Sequence, residues 1–271
     1  MSFDGAVAAV TGGGAGIGAA ICARLTADGA RVAVLDVSIA GAERVVAAGD
    51  GALALKVDVT DVAGVDSAVE RVEEELGPLA VWVNNAGAVS REHLARVAPR
   101  QAAQRAEAAE QGKIETPLDG LVRLLDEEWR RVLSIHLDGT FYGARAAARA
   151  MVRDGRGAIV NMASICGIQG CEGHPHYSAA KAGVIGFTRA AAKELILQGV
   201  RVNAIAPGYV DTDMLRGDLD ESRRHIALAT PIGRLARPEE IAAAVAFLAS
   251  EESSYFVGAT ISPNGGLVTA V

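Results

Sequence analysis

Short β-branched and apolar runs alternate with longer, Ala-rich amphipathic segments along the whole 271-residue chain. Seven runs read as strands, at 6–12, 31–37, 52–59, 79–87, 157–164, 200–208 and 258–266. Several are apolar on both faces, as strands are when helices cover both sides of a parallel sheet. Three of the intervening segments carry apolar residues at helical spacing, at 16–29, 65–77 and 179–199. The alternation predicts βαβ crossovers, and therefore an α/β fold with a doubly wound parallel sheet.

No linker or shift in composition divides the chain, which predicts one domain over 1–271. The exception to the regular pattern is 94–118, which is rich in Ala, Gln, Glu and Arg and has few large apolar residues. This composition predicts a solvated helix on a long excursion. Either it is a surface insertion without chemistry, or it is a lid or a subunit contact, since long excursions in compact domains are often functional.

Composition and charge narrow the classes of partner. The net charge of −7 and pI near 5.3 argue against a nucleic-acid partner. No run of about 18 apolar residues predicts a membrane span, and the N-terminus lacks the features of a signal peptide. We therefore expect a cytoplasmic protein that acts on a small molecule.

Three cysteines, Cys22, Cys166 and Cys171, are too few for a disulfide framework, and a reducing compartment is the simplest setting for them. Cys166 and Cys171 precede His174 and His176, but their spacing matches no common zinc pattern. The sequence favours ordinary loop residues lining a pocket over a metal site, and we predict no bound metal.

A glycine-rich segment, "VTGGGAGIG" at 10–18, follows the first strand and opens the first helix. Glycines there permit a tight turn and close approach of backbone amides to a pyrophosphate at the helix N-terminus. We assign Gly12, Gly14, Gly16, Ile17 and Gly18 to this phosphate cradle. The G-x-G-x-x-G pattern does not fit from Gly12, because its sixth position is Ile17. A plain tight turn is the alternative.

A carboxylate at the end of the second strand supports the cradle. Asp36 lies where a side chain accepts hydrogen bonds from the adenosine ribose hydroxyls. The same charge would repel a 2′-phosphate, and neither Val37 nor Ala15 supplies a compensating cation. The motif therefore predicts NAD(H) rather than NADP(H). Asp58, followed by Val59, is placed to meet adenine; alternatively it is a helix N-terminal acid.

Five ordered motifs together resemble the short-chain dehydrogenase/reductase family over nearly the whole chain. They are "TGGGAGIG", "DV" at 58–59, "NNAG" at 84–87, Ser164 with Tyr177-x-x-x-Lys181, and "PGYVDT" at 207–212. The resemblance implies a Rossmann-type sheet of seven parallel strands, a nicotinamide cofactor and hydride transfer at a carbon that bears oxygen. It also implies a homotetramer or dimer joined through long helices that include 179–199.

The chemistry of three residues agrees with this resemblance. A tyrosine near pKa 10 is a poor base at neutral pH, but Lys181 lies one helical turn after Tyr177 and its ammonium favours the phenolate. The hydroxyl of Ser164 would polarise the substrate oxygen. Taken singly, a turn-forming serine and a packed tyrosine are the plainer interpretations. Together with the cofactor motif, they predict Tyr177 as acid/base and Lys181 as its activator.

The resemblance also implies that Tyr177 and Lys181 contact the cofactor, with Lys181 at the nicotinamide ribose, and it assigns further residues to the cofactor's two ends. The adenine–ribose side is implied for Asn85, Ala86 and Gly87, while Asn84 is expected to bridge adjacent strands. The carboxamide side is implied for Pro207, Gly208, Val210 and Thr212. Residues 209–234 resemble the family's mobile substrate loop and are expected to order on binding.

The chain departs from the family pattern in two places. In "SIHLDGTF", His136 stands where the family usually has the asparagine of its proton relay. Because imidazole carries protons near pKa 6.5, we predict relay participation; alternatively His136 only fills space in a helix bend. The second departure is the insertion at 94–118, which we predict to be a helical flap or a subunit-bridging arm.

These features predict an NAD-dependent dehydrogenase of secondary alcohols. The first substrate class is a 3-hydroxyacyl or 3-oxoacyl thioester, although biosynthetic reductases of such substrates commonly use NADPH. A cyclic or steroid-like alcohol is the alternative, and the apolar loop at 165–170 suits it equally well. An NAD-binding regulator whose chemistry lapsed at His136 is a third possibility from another class.

Overall fold

A computed structural model describes residues 2–212 and 220–269. Its seven strands form one parallel sheet in the order β3-β2-β1-β4-β5-β6-β7. The strands are β1 Val7–Thr11, β2 Arg31–Asp36, β3 Leu53–Lys56, β4 Leu79–Asn84, β5 Gly157–Met162, β6 Val200–Ile205 and β7 Thr260–Ile261. The predicted doubly wound, Rossmann-type α/β fold is confirmed.

Helices cover both faces of the sheet, as the two-sided apolar strands predict. They are α1 Gly16–Ala27, α2 Ile39–Ala47, α3 Val62–Leu76, α4 Arg91–Gln111, α5 Asp126–Leu133, α6 Gly139–Asp154, α7 Ile165–Gln169, α8 Pro175–Leu195, α9 Asp220–Ala229 and α10 Pro238–Ala249. One apolar layer joins the sheet to α1 and α10, and the other joins it to α3, α6 and α8. No helix among the described residues is long and apolar enough to cross a bilayer.

The strand order reverses between β1 and β4, and this reversal fixes where a ligand can bind. In open parallel sheets the connections diverge at such a point and leave a crevice at the carboxyl ends of the strands. The glycine turn follows β1, the "NNAG" turn follows β4, and Ser164 follows β5. The topology therefore gathers motifs that are far apart in the chain at one edge of the sheet.

The insertion begins as a long helix and then folds back on it. Helix α4 covers most of the predicted helical excursion, and 112–118 continues without regular structure. The carboxylate of Glu107 accepts hydrogen bonds from the backbone amides of Glu115 and Thr116, at 2.8 and 2.9 Å. Arg100 forms an ion pair with Asp119 at 3.0 Å. The predicted helix is thus present, and charge-assisted bonds hold the irregular segment that follows it against the helix.

Candidate functional site

The glycine turn after β1 leaves no room for side chains. A Cβ built on Gly18 would lie 2.0 Å from the carbonyl oxygen of Gly12, and one built on Gly12 would lie 2.8 Å from the Cα of Ala86. Gly12 and Gly16 also have positive φ angles of 64° and 54°, which favour glycine. Glycine at positions 12 and 18 lets the turn pack closely, as the glycines of a pyrophosphate-binding turn do.

Asp36 faces this turn from the end of β2. Its Oδ2 accepts a hydrogen bond from the amide of Gly14 at 2.9 Å, and its Oδ1 accepts one from the amide of Ser38 at 2.8 Å. The next residue, Val37, is 63% exposed and brings no charge. A partly exposed carboxylate beside a bare glycine turn fits the ribose and pyrophosphate of a dinucleotide.

The segment after β4 is pinned to the glycine turn. The side-chain amide of Asn85 donates to the carbonyl oxygens of Thr11 and Gly12, at 3.0 and 3.1 Å. The Thr11 hydroxyl accepts bonds from the amides of Asn85 and Ala86. These bonds bring two sequence motifs, separated by more than seventy residues, into one wall of the crevice.

Asn84 bridges strands, as predicted. Its Nδ2 donates to Asn161 Oδ1 at 2.8 Å, and Asn161 Nδ2 donates to the hydroxyl of Thr188 at 2.9 Å. All three side chains are buried, so this chain of bonds satisfies groups that would otherwise be costly. It ties β4 and β5 to helix α8, which carries Tyr177 and Lys181.

Ser164, Tyr177 and Lys181 come together at the carboxyl end of β5. The Ser164 hydroxyl accepts from the amide of Cys166 at 3.2 Å and lies near enough to the Tyr177 phenol to lower its pKa. Lys181 is 4% exposed; its Nζ donates to the carbonyl oxygen of Met162 at 2.6 Å and lies 5.7 Å from the Tyr177 ring centre. The acid/base candidate thus lies beside the serine, with the ammonium behind its ring.

The pKa values in this cluster differ from the sequence expectation. Burial raises the pKa of Tyr177 above its usual value, and the bond from Ser164 only partly opposes that rise. Burial lowers the pKa of Lys181 to about 7. The expected acidification of Tyr177 by the Lys181 ammonium is therefore absent from the protein alone, because desolvation dominates both groups.

His136 is 2% exposed and lies in a π-helical segment, Ser134–Asp138, between α5 and α6. Its Nε2 lies 2.8 Å from the carbonyl oxygen of Ala88 and 3.2 Å from the amide nitrogen of Ala88, and its ring packs edge-on against Tyr177 at 5.2 Å. Burial, reinforced by the charge of Lys181, lowers its pKa to about 3. The expected titration near 6.5 is wrong, since the imidazole is neutral at physiological pH.

The remaining predicted cofactor residues follow the carboxyl ends of β3, β4 and β6, and several of them are buried. Thr212 lies beside the glycine turn, 3.4 Å from a Cβ built on Gly16, and the amide of Gly208 donates to the carbonyl oxygen of Pro263. Asp58 accepts hydrogen bonds from the amide and hydroxyl of Thr60. The helix-capping acid is instead Asp61, at the N-cap of α3. Val59 and Pro207 are both buried. Gly87 packs against the ring of His136, and Val210 forms an isolated parallel β-bridge with Ala236.

Part of the predicted substrate loop lies outside the described residues, at 213–219. On its near side, Asp211 forms an ion pair with Arg223 of α9 at 2.6 Å. On its far side, 223–234 continues as the end of α9 and a turn.

Cys166 and Cys171 are joined by a disulfide, with their Cα atoms 4.9 Å apart. The expectation of unbridged loop thiols is wrong for this pair, because α7 and the turn after it bring the two residues together. Cys22 is free and buried, with its pKa raised to about 12 by burial. Within the described ranges, no group of three or more His, Cys, Asp or Glu side chains could hold a metal ion.

A cluster of three histidines beside the site escaped the sequence analysis. The ring of His93, from α4, packs 4.5 Å from His176 and 5.6 Å from His174, and its Nε2 donates to the carbonyl oxygen of Gly173 at 2.6 Å. Burial lowers the pKa of both His174 and His176 to about 4. The pairing joins residues 80 positions apart, so local sequence carries no signal for it.

A family model described as short chain dehydrogenase matches residues 6–222. The chain belongs to the short-chain dehydrogenase family. It is 38% identical over 268 residues to the 3-oxoacyl-(acyl-carrier-protein) reductase FabG of Salmonella typhimurium, covering 98% of this chain and 99% of the relative. The reductase of the same name from Escherichia coli is 37% identical over the same shares of each chain.

A solved structure supports the same family membership. The crystal structure of a short-chain type dehydrogenase/reductase from Mycobacterium marinum superposes with a TM-score of 0.83 at 30% identity, covering 99% of this chain and 98% of that one. The family membership makes the chain an oxidoreductase that acts on CH–OH groups with a nicotinamide cofactor.

Proposed function

We propose that the protein is an NAD(H)-dependent oxidoreductase that interconverts a secondary alcohol and a ketone, with a 3-hydroxyacyl or 3-oxoacyl thioester as its substrate class. The observation that carries this proposal is that Ser164, Tyr177 and the buried Lys181 lie together at the edge of the sheet that holds the glycine turn. The relatives named for 3-oxoacyl thioester reduction match along nearly the full length.

The dinucleotide would be held by the glycine turn from Gly12 to Gly18, by Asp36 at the ribose and by the segment after β6. The close contacts that exclude a side chain at Gly18 and the carboxylate turned toward Gly14 support this assignment. The negative charge at the end of β2, with the uncharged Val37 beside it, supports NAD(H) over NADP(H). When bound, the nicotinamide supplies or accepts the hydride.

In reduction, the Tyr177 hydroxyl donates its proton to the carbonyl oxygen of the substrate while Ser164 donates a second hydrogen bond to that oxygen. In oxidation, the same phenol oxygen takes the proton from the substrate hydroxyl. Lys181 holds positive charge behind the ring, which favours the phenolate that each cycle creates. Its pKa of about 7 means that the charged fraction of Lys181 falls as the pH rises through neutrality.

His136 is proposed as a positioning residue. The relay predicted from the sequence would have to use the neutral imidazole, whose buried Nδ1 lacks a hydrogen-bond partner among the described residues and can accept one from water. Its bonds to Ala88 and its contact with Tyr177 support the simpler role of fixing the tyrosine ring. The lapsed regulator is disfavoured, because Ser164, Tyr177 and Lys181 are all present.

The experiment is a spectrophotometric screen that follows NADH. It compares 3-oxoacyl and 3-hydroxyacyl thioesters with cyclic and steroid-like alcohols, using each coenzyme in turn. We expect turnover with the thioesters and NAD(H), and a loss of at least roughly a hundredfold in kcat for Tyr177→Phe, because the proton donor is removed. Tyr142→Phe is the matched control. Turnover only with the cyclic or steroid-like alcohols would show that these, and not the thioesters, are the substrate class. Tight NAD binding without turnover of any substrate would favour the NAD-binding regulator.

The insertion is proposed as a wall over the substrate side of the site. The bond from His93 to Gly173 and the burial of Val97 against that turn support this assignment. Replacing 94–118 by a short linker is expected to raise the substrate KM. Unchanged KM and unchanged oligomer size would exclude both a flap and a subunit arm. A cytoplasmic homotetramer or dimer remains part of the proposal, and light scattering measures its size.

A further inference from the structure

The Cys166–Cys171 disulfide spans the segment between the proposed catalytic serine and tyrosine. Cys166 lies in α7, two residues after Ser164, and Cys171 lies two residues beyond the end of that helix. Both cysteines are partly exposed, so a small thiol can reach the bond from solvent. The third cysteine, Cys22, is buried in the core and is remote from this chemistry.

Each half of the disulfide is bonded to a residue at the site. The amide of Cys166 donates to the Ser164 hydroxyl at 3.2 Å, and that hydroxyl lies beside the Tyr177 phenol. The amide of Cys171 donates to the hydroxyl of Ser178 at 2.9 Å, one residue after the tyrosine. Helix α7 has only five residues and cannot persist on its own propensity, so its position depends on these tertiary ties.

Helix α4 and the chain that follows the insertion contact the same turn from outside. His93 of α4 donates to the carbonyl oxygen of Gly173, and a Cβ built on Gly120 would lie 2.7 Å from the Cα of Gly173. Gly170 and Gly173 both have positive φ angles, near 77°, so the segment turns sharply at both points. The disulfide is thus the covalent tie in a wall that is otherwise held by hydrogen bonds, by the packing of Val97 and Gly120 against Gly173, and by the close approach of Gly167 to the backbone of Lys181.

We propose that Cys166–Cys171 is a thiol–disulfide exchange site for small thiols and dithiols, and that its redox state sets the order of the substrate-side wall. This inference rests on the proposed function only for its effect on substrate. A thiolate attacks one sulfur, forms a mixed disulfide and releases the other cysteine as a thiolate, which takes a proton. A second thiol attacks the mixed disulfide, so that two cysteine thiols and one small-molecule disulfide result. The reverse two-electron exchange uses a small disulfide as oxidant.

Opening the bond is expected to loosen 165–178 and to leave the glycine turn and Asp36 unchanged; the bond from the amide of Ile165 to the carbonyl oxygen of Pro207, on the carboxamide side, lies outside the bridged loop of 166–171. The glycine turn and Asp36 make no bond to this segment among the described contacts. We therefore expect the substrate KM to rise about three- to tenfold on reduction, within the roughly fortyfold limit set by the entropy of closing so short a loop. The Kd for NAD should stay the same.

The experiment equilibrates the full-length protein across a series of reduced-to-oxidised glutathione ratios. Native alkylation with iodoacetamide, read by mass, counts the exposed thiols, and Cys22 stays unlabelled because it is buried. Hydrogen exchange of 165–178, NAD affinity and substrate KM are measured on the same samples. We expect the thiol count to change by two, and both exchange and KM to follow it along one two-electron curve.

Two variants complete the test. Cys166→Ser with Cys171→Ser should keep NAD affinity, show the reduced-state KM and ignore the glutathione ratio, whereas Cys22→Ala should respond as the parent does. Two labelled thiols at every ratio, or hydrogen exchange in 165–178 that does not change with the thiol count, would overturn the proposal. If no substrate turns over, the thiol count and hydrogen exchange still decide it, so the failure of the proposed function is seen separately.

Discussion

Replacing His136 by asparagine should flatten the acid side of the stability profile. The imidazole is 2% exposed, and its pKa in the folded protein is about 3, against roughly 6.5 when unfolded. Between those values the unfolded chain binds the proton and the folded protein does not, so lowering the pH favours unfolding. The stability is present above pH 6.5 and is lost as the pH falls toward 3. An asparagine amide has a donor and an acceptor for Ala88 but no titration.

The magnitude depends mainly on the unfolded pKa. At pH 5 the pH is two units above the pKa of His136 in the folded protein, so the imidazole stays almost wholly neutral there. The same pH is about 1.5 units below the pKa of the imidazole in the unfolded chain, which therefore binds the proton. At 1.36 kcal/mol per unit, this proton binding lowers the free energy of unfolding by about 2 kcal/mol. At pH 7 the same cost is only a few tenths of a kcal/mol. A typical domain has about 5–15 kcal/mol in all, so the difference is measurable.

The assay is urea unfolding of the parent and of His136→Asn at pH 7 and pH 5, at one protomer concentration. The free-energy difference between the two proteins should move by about 2 kcal/mol in favour of the variant at pH 5. His174 and His176 also have lowered pKa values, but both proteins contain them and the subtraction removes their contribution. Parallel stability profiles would refute the reasoning, because they would mean that the imidazole titrates equally in both states.

Three further changes test other parts of the site. Asp36→Asn keeps the shape of the side chain but removes its charge, and the NAD/NADP ratio of kcat/KM should fall by roughly ten- to a hundredfold; an unchanged ratio would mean that the carboxylate does not select the coenzyme. Gly18→Ala puts a methyl group 2.0 Å from a turn carbonyl, so NAD affinity by calorimetry should fall at least tenfold, roughly, while Gly186→Ala, which meets nothing within 4 Å, should leave it unchanged. Glu128→Gln weakens the 2.5 Å ion pair with Arg96 and should cost roughly 1–3 kcal/mol in urea unfolding; burial raises the carboxyl pKa, but the bonds from Arg96, Leu125 and Ser90 together lower it, and no loss of stability would mean that the pair does not anchor α4.

The fold was predictable because its signals are periodic and local. Runs such as 79–87 and 200–208 were expected as strands, yet β4 and β6 end at Asn84 and Ile205. Beyond β6 the amides of Ala206 and Gly208 still donate to the carbonyl oxygens of Ile261 and Pro263, whereas beyond β4 the chain turns toward the site. In 79–87 the apolar strand pattern runs into the "NNAG" motif, so the sequence alone does not show where the strand ends. The side-chain bonds from Asn85 to the glycine turn set the end of β4.

What the sequence could not predict depends on distant contacts. The pKa of His136 follows from its burial under the bend between α5 and α6, which no local pattern reveals. The disulfide needs the turn after α7 to bring Cys166 and Cys171 within 4.9 Å. His93 approaches Gly173 across 80 residues of chain. In each case the residue types were visible, but their surroundings were set by packing.

These unpredicted features lie on one side of the crevice. The disulfide, the His93 contact and the close pair Gly120–Gly173 all meet at the turn of 171–174, whereas the cofactor side keeps the motifs that carry the family resemblance. Under the proposed function, binding energy for the coenzyme and binding energy for the substrate belong to different walls. Changes confined to the substrate side can alter the substrate that is bound, or make that side respond to thiols, while the affinity for the dinucleotide stays the same. The structure therefore directs the search for specificity to the insertion and the bridged turn, and away from the glycine loop.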